Sequence, residues 1–491
     1  MRGLIIDCFA GGGGASVGIE MALGRPVDIA INHDPQAIRM HRTNHPQTLH
    51  LTEDIFKVDL QKYVAGRHVD LMWASPDCTS HSKAKGGQPR KQGLRILPWA
   101  VFKHAKAILP DVIIMENVEE IQQWGPLDET GRPIKERAGE DYNRFIAAMK
   151  SLGYEFDSRE LVAADYGAPT TRKRWYAIFR RDGRRIVWPE QTHFKDREPR
   201  WKQCGDYIDW SNLGSSIFGR KKPLAEATQR RIANGIKKYI IENPDPYIVK
   251  DGEKILVSYL DKAYGGNYKG CGSDLRNPCS TITTVDHNRL VTAFLIQYHG
   301  EQKAGDSRGQ LLTEPIKTID TSNRYGLVTA FITKFYKTGI GQDLDEPLHT
   351  ITTSPGHFGL ISAFLIKYYG TGGGQGLKEP LATITTKDRF GLVNVILNIQ
   401  GEKYIISDIF LRMLTPEELK LAQGFPADYI LDRDYRWQKY PICEQVKRIG
   451  NSVVPAMAEA LVKANCPYLK VGERQSAPAI YVQQGGQIAF G

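Results

Sequence analysis

A doubly wound, mostly parallel α/β domain interrupted by a β-rich insertion is the fold class that this 491-residue chain predicts. Three observations carry the prediction. Apolar strand-like runs alternate with helix-like segments through the first third of the chain, and the first run is followed by a glycine-rich turn, FAGGGGAS. Beyond Trp188-Pro189 the texture becomes basic, aromatic and turn-rich, with an internal repeat. Apolar strands separated by helical crossovers make a parallel sheet covered on both faces.

In order, LIIDCF reads as a strand, Ala15 to Leu23 as a helix, VDIAIN as a strand and Pro35 to Asn44 as a helix. VDLMWAS and VIIMEN are further strands, separated by a helix around Trp99 to Leu109. DYNRFIAAMKSLGY continues as helix, and EFDSRELV and RWYAIFRR as strands. These elements define a first domain over 1–190. A second spans 191–404, and within 275–400 four copies of a unit recur, with Pro278, Pro315, Pro347 and Pro380 roughly 32 to 37 residues apart. Each copy predicts a strand around T-I-x-T, a polar turn, and a longer strand such as VTAFLIQ. Helical sequence returns over 405–466 in LTPEELKLAQGFP and VKRIGNSVVPAMAEALVKANC, and 467–491 reads as a Gln- and Gly-rich tail.

The composition narrows the function. Sixty-five Lys and Arg against 55 Asp and Glu leave a net charge of +10, an excess that suits a polyanion without demanding one. Seven scattered cysteines with no C-x-x-C pair argue against a disulfide framework or structural zinc, so no metal site is expected and a reducing compartment fits. No run reaches the roughly 20 apolar residues of a membrane span, and the N-terminus lacks a signal-peptide core, so the expected location is cytoplasmic and away from membranes.

Residue chemistry then marks candidate sites. In DCFAGGGGAS, glycines between a strand and a helix let the backbone approach a ligand, and the phosphate-loop spacing G-x-x-x-x-G-K-[ST] is absent. Asp34 and Asp54 stand at strand ends, where a carboxylate serves equally as a helix cap or as a partner for ribose or adenine. Cys78, in ASPDCTSHS, and Glu116-Asn117-Val118 each close an apolar strand, and such ends open into one crevice. By position alone Cys78 is as readily a buried filler as a nucleophile.

Taken in order, ASPDC, MENV, YGAPTTRKRW, LTPEELKLAQGFP and RIGNSVVP resemble the cytosine-C5 DNA methyltransferase family. The likeness covers roughly 3–190 and 405–465, and the unmatched middle falls where that family keeps its target-recognition domain. The resemblance implies a class I S-adenosylmethionine-dependent methyltransferase fold, with Cys78 as the thiol that adds to cytosine C6. It implies Glu116 as the acid at N3 and Arg174, with Arg172 nearby, at O2. It further implies S-adenosyl-L-methionine held by Phe9, Ala10, Gly11, Gly12, Gly13, Gly14, Asn32, His33, Asp34, Asp54, Ile55, Pro76, Asn451, Ser452 and Val453. The implied substrate is double-stranded DNA whose target cytosine is flipped out, acted on by a monomer with a cognate restriction endonuclease as a compatible partner.

This chain departs from the family pattern at several points. Asn32 stands for the family's ribose-binding Glu, Asp77 for the Pro before the cysteine, Thr79 for Gln, His81 for Phe, and Thr170 for the Gln of Q-x-R-x-R. Cys78, Glu116, Arg172 and Arg174 are nevertheless all present. Lys83, Lys85, Arg90 and Lys91, after the nucleophile, suit a loop that contacts phosphates, and Arg289, Arg324 and Arg389, in the repeat turns, suit the DNA side. Two alternatives stand beside this reading. An RNA cytosine-C5 methyltransferase is disfavoured by the roughly 200-residue insertion, and an inactive DNA-binding regulator would lack adduct formation at Cys78.

Overall fold

The computed structural model describes residues 2–77, 95–218, 220–222, 224–251, 254–263, 270–297 and 402–471, with short strands at 330–334, 358–362, 365–367, 390–392, 396–399, 480–482 and 488–490. The chain divides into two compact units, Met1–Tyr207 with Asn277–Asp286 and Thr415–Gly491 in one, and Ile208–Arg276 with His287–Leu414 in the other.

The first unit is built on a seven-stranded sheet of β1 (Leu4–Cys8), β2 (Ile29–Ile31), β3 (Leu49–Leu51), β4 (Val69–Ala74), β5 (Val112–Asn117), β6 (Glu155–Val162) and β7 (Lys173–Arg180). Its order is β3-β2-β1-β4-β5-β7-β6, with the first five strands parallel and β7 antiparallel to both neighbours. Every residue of β1, β4 and β5 is buried, which is why these strands read as unbroken apolar runs instead of alternating ones. The crossovers carry α1 (Gly14–Leu23), α2 (Pro35–Asn44), α3 (Leu60–Val64), α4 (Leu97–Ile108) and α5 (Glu140–Ser151).

In the second unit, α6 (Glu226–Ile236) lies on an antiparallel sheet of β8 (Ser215–Ser216), β9 (Ile248–Asp251), β10 (Lys254–Lys262), β11 (Asn288–Gln297), β16 (Ile396–Ile399) and β17 (Glu402–Met413). Its core joins Ile232 and Ile236 of the helix to Val257, Tyr259, Val291, Ala293, Ile409 and Leu411, with the Tyr259 hydroxyl donating to the Ile232 carbonyl at 2.9 Å. Two further antiparallel pairs, β12 (Ala330–Lys334) with β13 (Phe358–Ser362) and β14 (Leu365–Lys367) with β15 (Phe390–Leu392), fall in the later repeats. The long strand expected of the first repeat is β11. The T-I-T-T stretch before it, expected as a strand of the inserted domain, is not one and belongs to the first unit. There Cys279 N donates to the Pro169 carbonyl at 2.8 Å and Thr171 N to the Cys279 carbonyl at 2.9 Å.

The chain completes the first unit with α7 (Pro416–Ala422), α8 (Ile442–Asn451) and α9 (Pro455–Asn465). A reciprocal capping box, in which Thr415 and Glu418 satisfy each other's backbone N–H groups, starts α7 in LTPEEL. The sheet pleat sends alternate residues to opposite faces. Ile6, Cys8, Met72, Ile113 and Met115 pack with Val101 and Ala105 of α4 and Phe145 and Met149 of α5. On the other face Ile5, Leu71, Trp73 and Ile114 pack with Ile19 and Leu23 of α1 and Met457 and Leu461 of α9. Each such large apolar side chain contributes about 1.5–3 kcal/mol on burial. Because β2 lies to one side of β1 and β4 to the other, the crevice of the topological switch point opens past the C-terminal ends of β1 and β4. Among the described residues no helix is long and apolar enough to cross a membrane.

Candidate active site

Glu116 and Asn117 end β5 beside the end of β4, and the two side chains do different work. Glu116 is 8% exposed, and its Oε1 lies 3.3 Å from Arg174 Nε and 3.9 Å from Arg172 Nη2. Antiparallel pairing of β7 with β5 brings the two arginines there, because Arg174 is the second residue of that strand and Arg172 just precedes it. Arg172 is held from behind, its Nη1 donating to the carbonyls of Gly450 at 3.1 Å and Ile282 at 3.4 Å. That contact gives the 277–286 segment a reason to lie in this unit, since a buried guanidinium needs carbonyl acceptors. Asn117 donates from Nδ2 to the Pro76 carbonyl at 3.1 Å and accepts from Val118 N at 2.9 Å, so it pins the turn leading to Cys78. Trp73 Nε1 donates to Ser75 Oγ at 2.8 Å in the same turn. Pro76 is buried and Asp77 exposed, whereas Cys78, Thr79, His81, Lys83, Lys85, Arg90 and Lys91 lie outside the described residues.

Behind the glycine turn, close approach of protein explains most of the glycines. A Cβ at Gly12 would stand 2.8 Å from the Arg448 carbonyl oxygen, one at Gly13 2.2 Å from the Tyr429 hydroxyl, and one at Gly14 2.0 Å from the Val453 carbonyl oxygen. At Gly11 a Cβ would meet nothing within 4 Å. Ser452, 2% exposed, accepts from Gly14 N at 3.0 Å, and the Tyr429 hydroxyl donates to the Gly12 carbonyl at 2.7 Å. Tyr429 is aimed there by Lys420, which is buried and donates to the Ala427 and Tyr429 carbonyls at 2.6 and 3.1 Å. Phe9 adopts φ 65°, a left-handed conformation rare for an aromatic residue and a form of backbone strain that clusters at functional sites. Gly14→Ala is therefore expected to destabilise the protein by about 1–3 kcal/mol through overpacking, while Gly11→Ala leaves folding stability unchanged. Thermal unfolding of the two variants checks this, and equal losses would contradict it.

The polar residues after β2 and β3 have local partners. Asn32 donates from Nδ2 to the Ala10 carbonyl at 3.0 Å and accepts from Asp34 N at 2.8 Å, tying the turn after β2 to the turn after β1. Asp34 caps α2 by accepting from Gln36 N at 2.8 Å, and its Oδ2 meets Arg448 Nη2 at 2.7 Å. Burial pushes the Asp34 carboxyl up, but the Gln36 N–H and the Arg448 guanidinium together hold it below its ordinary value. Asp54 is exposed and accepts from Phe56 N at 2.9 Å within a turn, not as the helix cap weighed for it, since Asp59 stands at the N-cap of α3; Ile55 is buried and its carbonyl is 2.8 Å from His104 Nε2. His33 and Asn451 are exposed, and Ala10 and Val453 are buried. Arg289 is the second residue of strand β11 instead of sitting in a turn, with Nε 2.9 Å from Oδ2 of Asp261, a residue with no exposure. Its charge is thus engaged within the second unit. Arg324 and Arg389 lie outside the described residues.

Sequence reasoning gave no role to three site-forming residues, although Asn117 stands in the strand-end tripeptide it singled out. Asn117, Tyr429 and Arg448 each act by gripping backbone or a neighbouring carboxylate, and only the basic residue before I-G-N carries a readable hint. Among the described residues, His68, Asp70 and Asp111 bring ligand atoms within 4.8 Å of one another and could hold a cation, but they stand at the N-terminal ends of β4 and β5, the opposite end from Glu116.

Comparison with known proteins agrees with this geometry. The profile of the C-5 cytosine-specific DNA methylases matches residues 4–267 and 363–465, well over half of the chain. The Type II methyltransferase M.AquIA of Picosynechococcus sp. is 28% identical over 259 residues, 49% of this chain and 98% of that protein. M1.HphI of Haemophilus parahaemolyticus is 28% identical over 193 residues, and M.AgeI of Thalassovita gelatinovora 30% over 196. Each of these two matches takes in 38% of this chain, and the chain spans 48% and 42% of their respective lengths. With its nucleotide-fold sheet, its paired arginines on a strand-end glutamate and a profile match across both ends of the sequence, the chain belongs to the C-5 cytosine-specific DNA methylase family.

Proposed function

We propose that this protein is a site-specific DNA (cytosine-5-)-methyltransferase that works through a covalent bond between Cys78 and C6 of a flipped-out cytosine. The carrying observation is the placement of the Glu116 carboxylate with Arg174 and Arg172 at the end of β5, while Asn117 of the same strand grips the carbonyl two residues before Cys78. Addition of the Cys78 thiolate to C6 pushes electrons toward N3 and O2 and makes C5 nucleophilic. Glu116 supplies a proton at N3, and Arg174 stabilises negative charge at O2. Removal of the C5 proton then lets the C6–S bond break and returns the thiolate. Arg172, committed to the Gly450 and Ile282 carbonyls, orients Glu116.

The open space at Gly11 beside strained Phe9 fits S-adenosylmethionine, the methyl donor used across the family. Phe9, Gly11, Asp54 and the backbone at Pro76 would hold it, and when bound it supplies an electrophilic methyl group. Asn32 and Asp34 would serve chiefly by keeping the turns after β1 and β2 in register. The second unit, whose repeats include Arg324 and Arg389, is the proposed target-recognition region, and the lysines and arginines at 83–91 are proposed phosphate contacts. A DNA-modifying enzyme of this kind would pair with an endonuclease of the same specificity.

Bisulfite sequencing of DNA from expressing cells tests this reading. Cytosines methylated in one shared context support it; unmodified DNA together with methyl transfer to RNA in vitro would replace it with the RNA reading. Asp77 is exposed, so Asp77→Pro, which restores the residue usual in the family, is expected to keep methylation within about threefold, the range of a surface substitution. A methyl-incorporation assay would expose the opposite case, a turn that depends on its aspartate.

A further inference from the structure

Beneath the glycine turn runs an unbroken chain of polar side chains that methyl transfer does not use. Asp7 of β1 is 1% exposed, and its partners across the sheet, Ala30 and Trp73, are apolar. Its Oδ2 is 2.7 Å from Ser16 Oγ on α1, and Ser16 Oγ is 2.9 Å from His41 Nε2 on α2. His41 Nδ1 is 2.9 Å from His50 Nε2 on β3, and His50 bonds onward to the Thr48 backbone. Ser16 and His41 have no exposure, whereas His50 is half-buried, so the chain leads from the core toward solvent.

The geometry admits two self-consistent hydrogen-bond directions. With Asp7 protonated, Asp7 donates to Ser16, Ser16 to His41 Nε2, His41 Nδ1–H to His50 Nε2, and His50 Nδ1–H to the Thr48 carbonyl. With Asp7 ionised, His50 Nε2–H donates to His41 Nδ1, His41 Nε2–H to Ser16, and Ser16 to Asp7, while the half-buried His50 Nδ1 gives up the Thr48 carbonyl and accepts from water. One proton separates the two states. It passes by successive hops from Asp7 to Ser16, from Ser16 to His41 Nε2, from His41 Nδ1 to His50 Nε2, and from His50 Nδ1 to water. Every ring stays neutral before and after.

We propose that Asp7, Ser16, His41 and His50 form a proton relay that sets the charge beneath the glycine turn and reverses its direction when that charge changes. Burial raises the Asp7 carboxyl to about 7, against the lowering effect of Ser16. Burial, with His45 and His50, holds His41 well below its ordinary value, and burial, with Arg42 and His45, takes His50 down to about 4. The imidazoles are therefore neutral where Asp7 titrates. Around the chain stand Cys8 on β1, whose thiol burial and Asp7 push up, Glu20 on α1, Arg42 on α2, His45 at the C-cap of α2, and Tyr429 from the C-terminal segment. His45 passes the state onward. It is 3% exposed, its ring is 4.5 Å from that of His41, its Nδ1 is 3.3 Å from Glu20, and its Nε2 lies 3.1 Å from where a Cβ at Gly13 would be. An ionised Asp7 favours a cationic ligand at the turn, so the sulfonium form of the cofactor is preferred over the neutral thioether left after transfer. That last step rests on the methyltransferase reading, whereas the relay itself does not.

The test is nitrogen-15 histidine spectroscopy on the full-length protein from pH 6 to pH 8. His41 and His50 are expected to change from Nδ1–H to Nε2–H as pH rises while remaining neutral. Asp7→Asn, isosteric with the protonated acid, should hold the Nδ1–H form throughout, and Ser16→Ala, which cuts the chain, should uncouple the imidazoles from Asp7. Tautomers that ignore pH in the unaltered protein, or that respond equally in both variants, overturn the relay. Calorimetry with S-adenosylmethionine and S-adenosylhomocysteine should show the preference for the former rising severalfold over the same range in the unaltered protein and staying flat in Asp7→Asn. A flat preference in both would overturn the link to ligand charge. Binding of neither compound at any pH would overturn that link and the methyltransferase reading together, and the tautomer result would still decide the relay.

Discussion

Replacing Cys78 with serine is expected to lower methylation by about four orders of magnitude or more, the scale seen when a covalent nucleophile is removed. A hydroxyl in place of the thiol has little anion available near neutral pH, and cytosine C5 is a poor nucleophile until C6 carries an adduct. The discriminating measurement is trapping on duplex DNA carrying 5-fluorocytosine in the methylated context. There the fluorine blocks loss of the C5 substituent and leaves the protein covalently attached. The unaltered protein should form that complex and Cys78→Ser should not. Methylation surviving in Cys78→Ser would remove the covalent mechanism, and absence of trapping on every duplex would favour the reading as an inactive DNA-binding regulator.

Glu116→Gln is expected to lower kcat by about 10²–10⁴-fold with little change in thermal stability. The amide keeps an acceptor toward Arg174 but cannot supply a carboxylic proton at N3. Glu116→Ala should lose as much activity and also about 1–3 kcal/mol of stability, because alanine, unlike glutamine, offers no acceptor where Arg174 and the 5%-exposed Arg172 meet this side chain. Kinetics paired with denaturant unfolding separates the two roles. If Glu116→Gln transfers methyl groups normally while Glu116→Ala unfolds easily, Glu116 is a counter-ion for the arginines and not the acid.

Much of this architecture could be read along the chain because parallel strands buried on both faces leave a plain mark. VDLMWA and VIIMEN have no polar face to show, and both are fully buried. The four glycines of FAGGGGAS were legible as a backbone-approach motif, but what approaches was not. Three of them face protein, namely Arg448, Tyr429 and Val453, and only Gly11 faces open space. Asp34 was legible as a possible cap of the next helix, and it does accept from Gln36 N, whereas its ion pair with Arg448 and the bond from Asn32 to the Ala10 carbonyl join segments that no local pattern pairs. The T-I-T-T stretch had a strand's composition, yet its place was decided by backbone pairing to Pro169 and Thr171 and by the acceptor that Ile282 offers Arg172.

By itself, the sequence determined the strand–helix alternation and singled out the candidate side chains, because hydrophobic period and functional-group chemistry are local properties. Only the tertiary structure decided that Glu116 shares its place with two arginines from an antiparallel strand. It alone decided that a carbonyl near the far end of the chain, at Gly450, holds one of them, and that a buried carboxyl connects through a serine and two histidines toward solvent. Those contacts join residues from 9 to 278 positions apart. The partners that hold Arg172 are backbone carbonyls, which every residue carries and no sequence motif distinguishes.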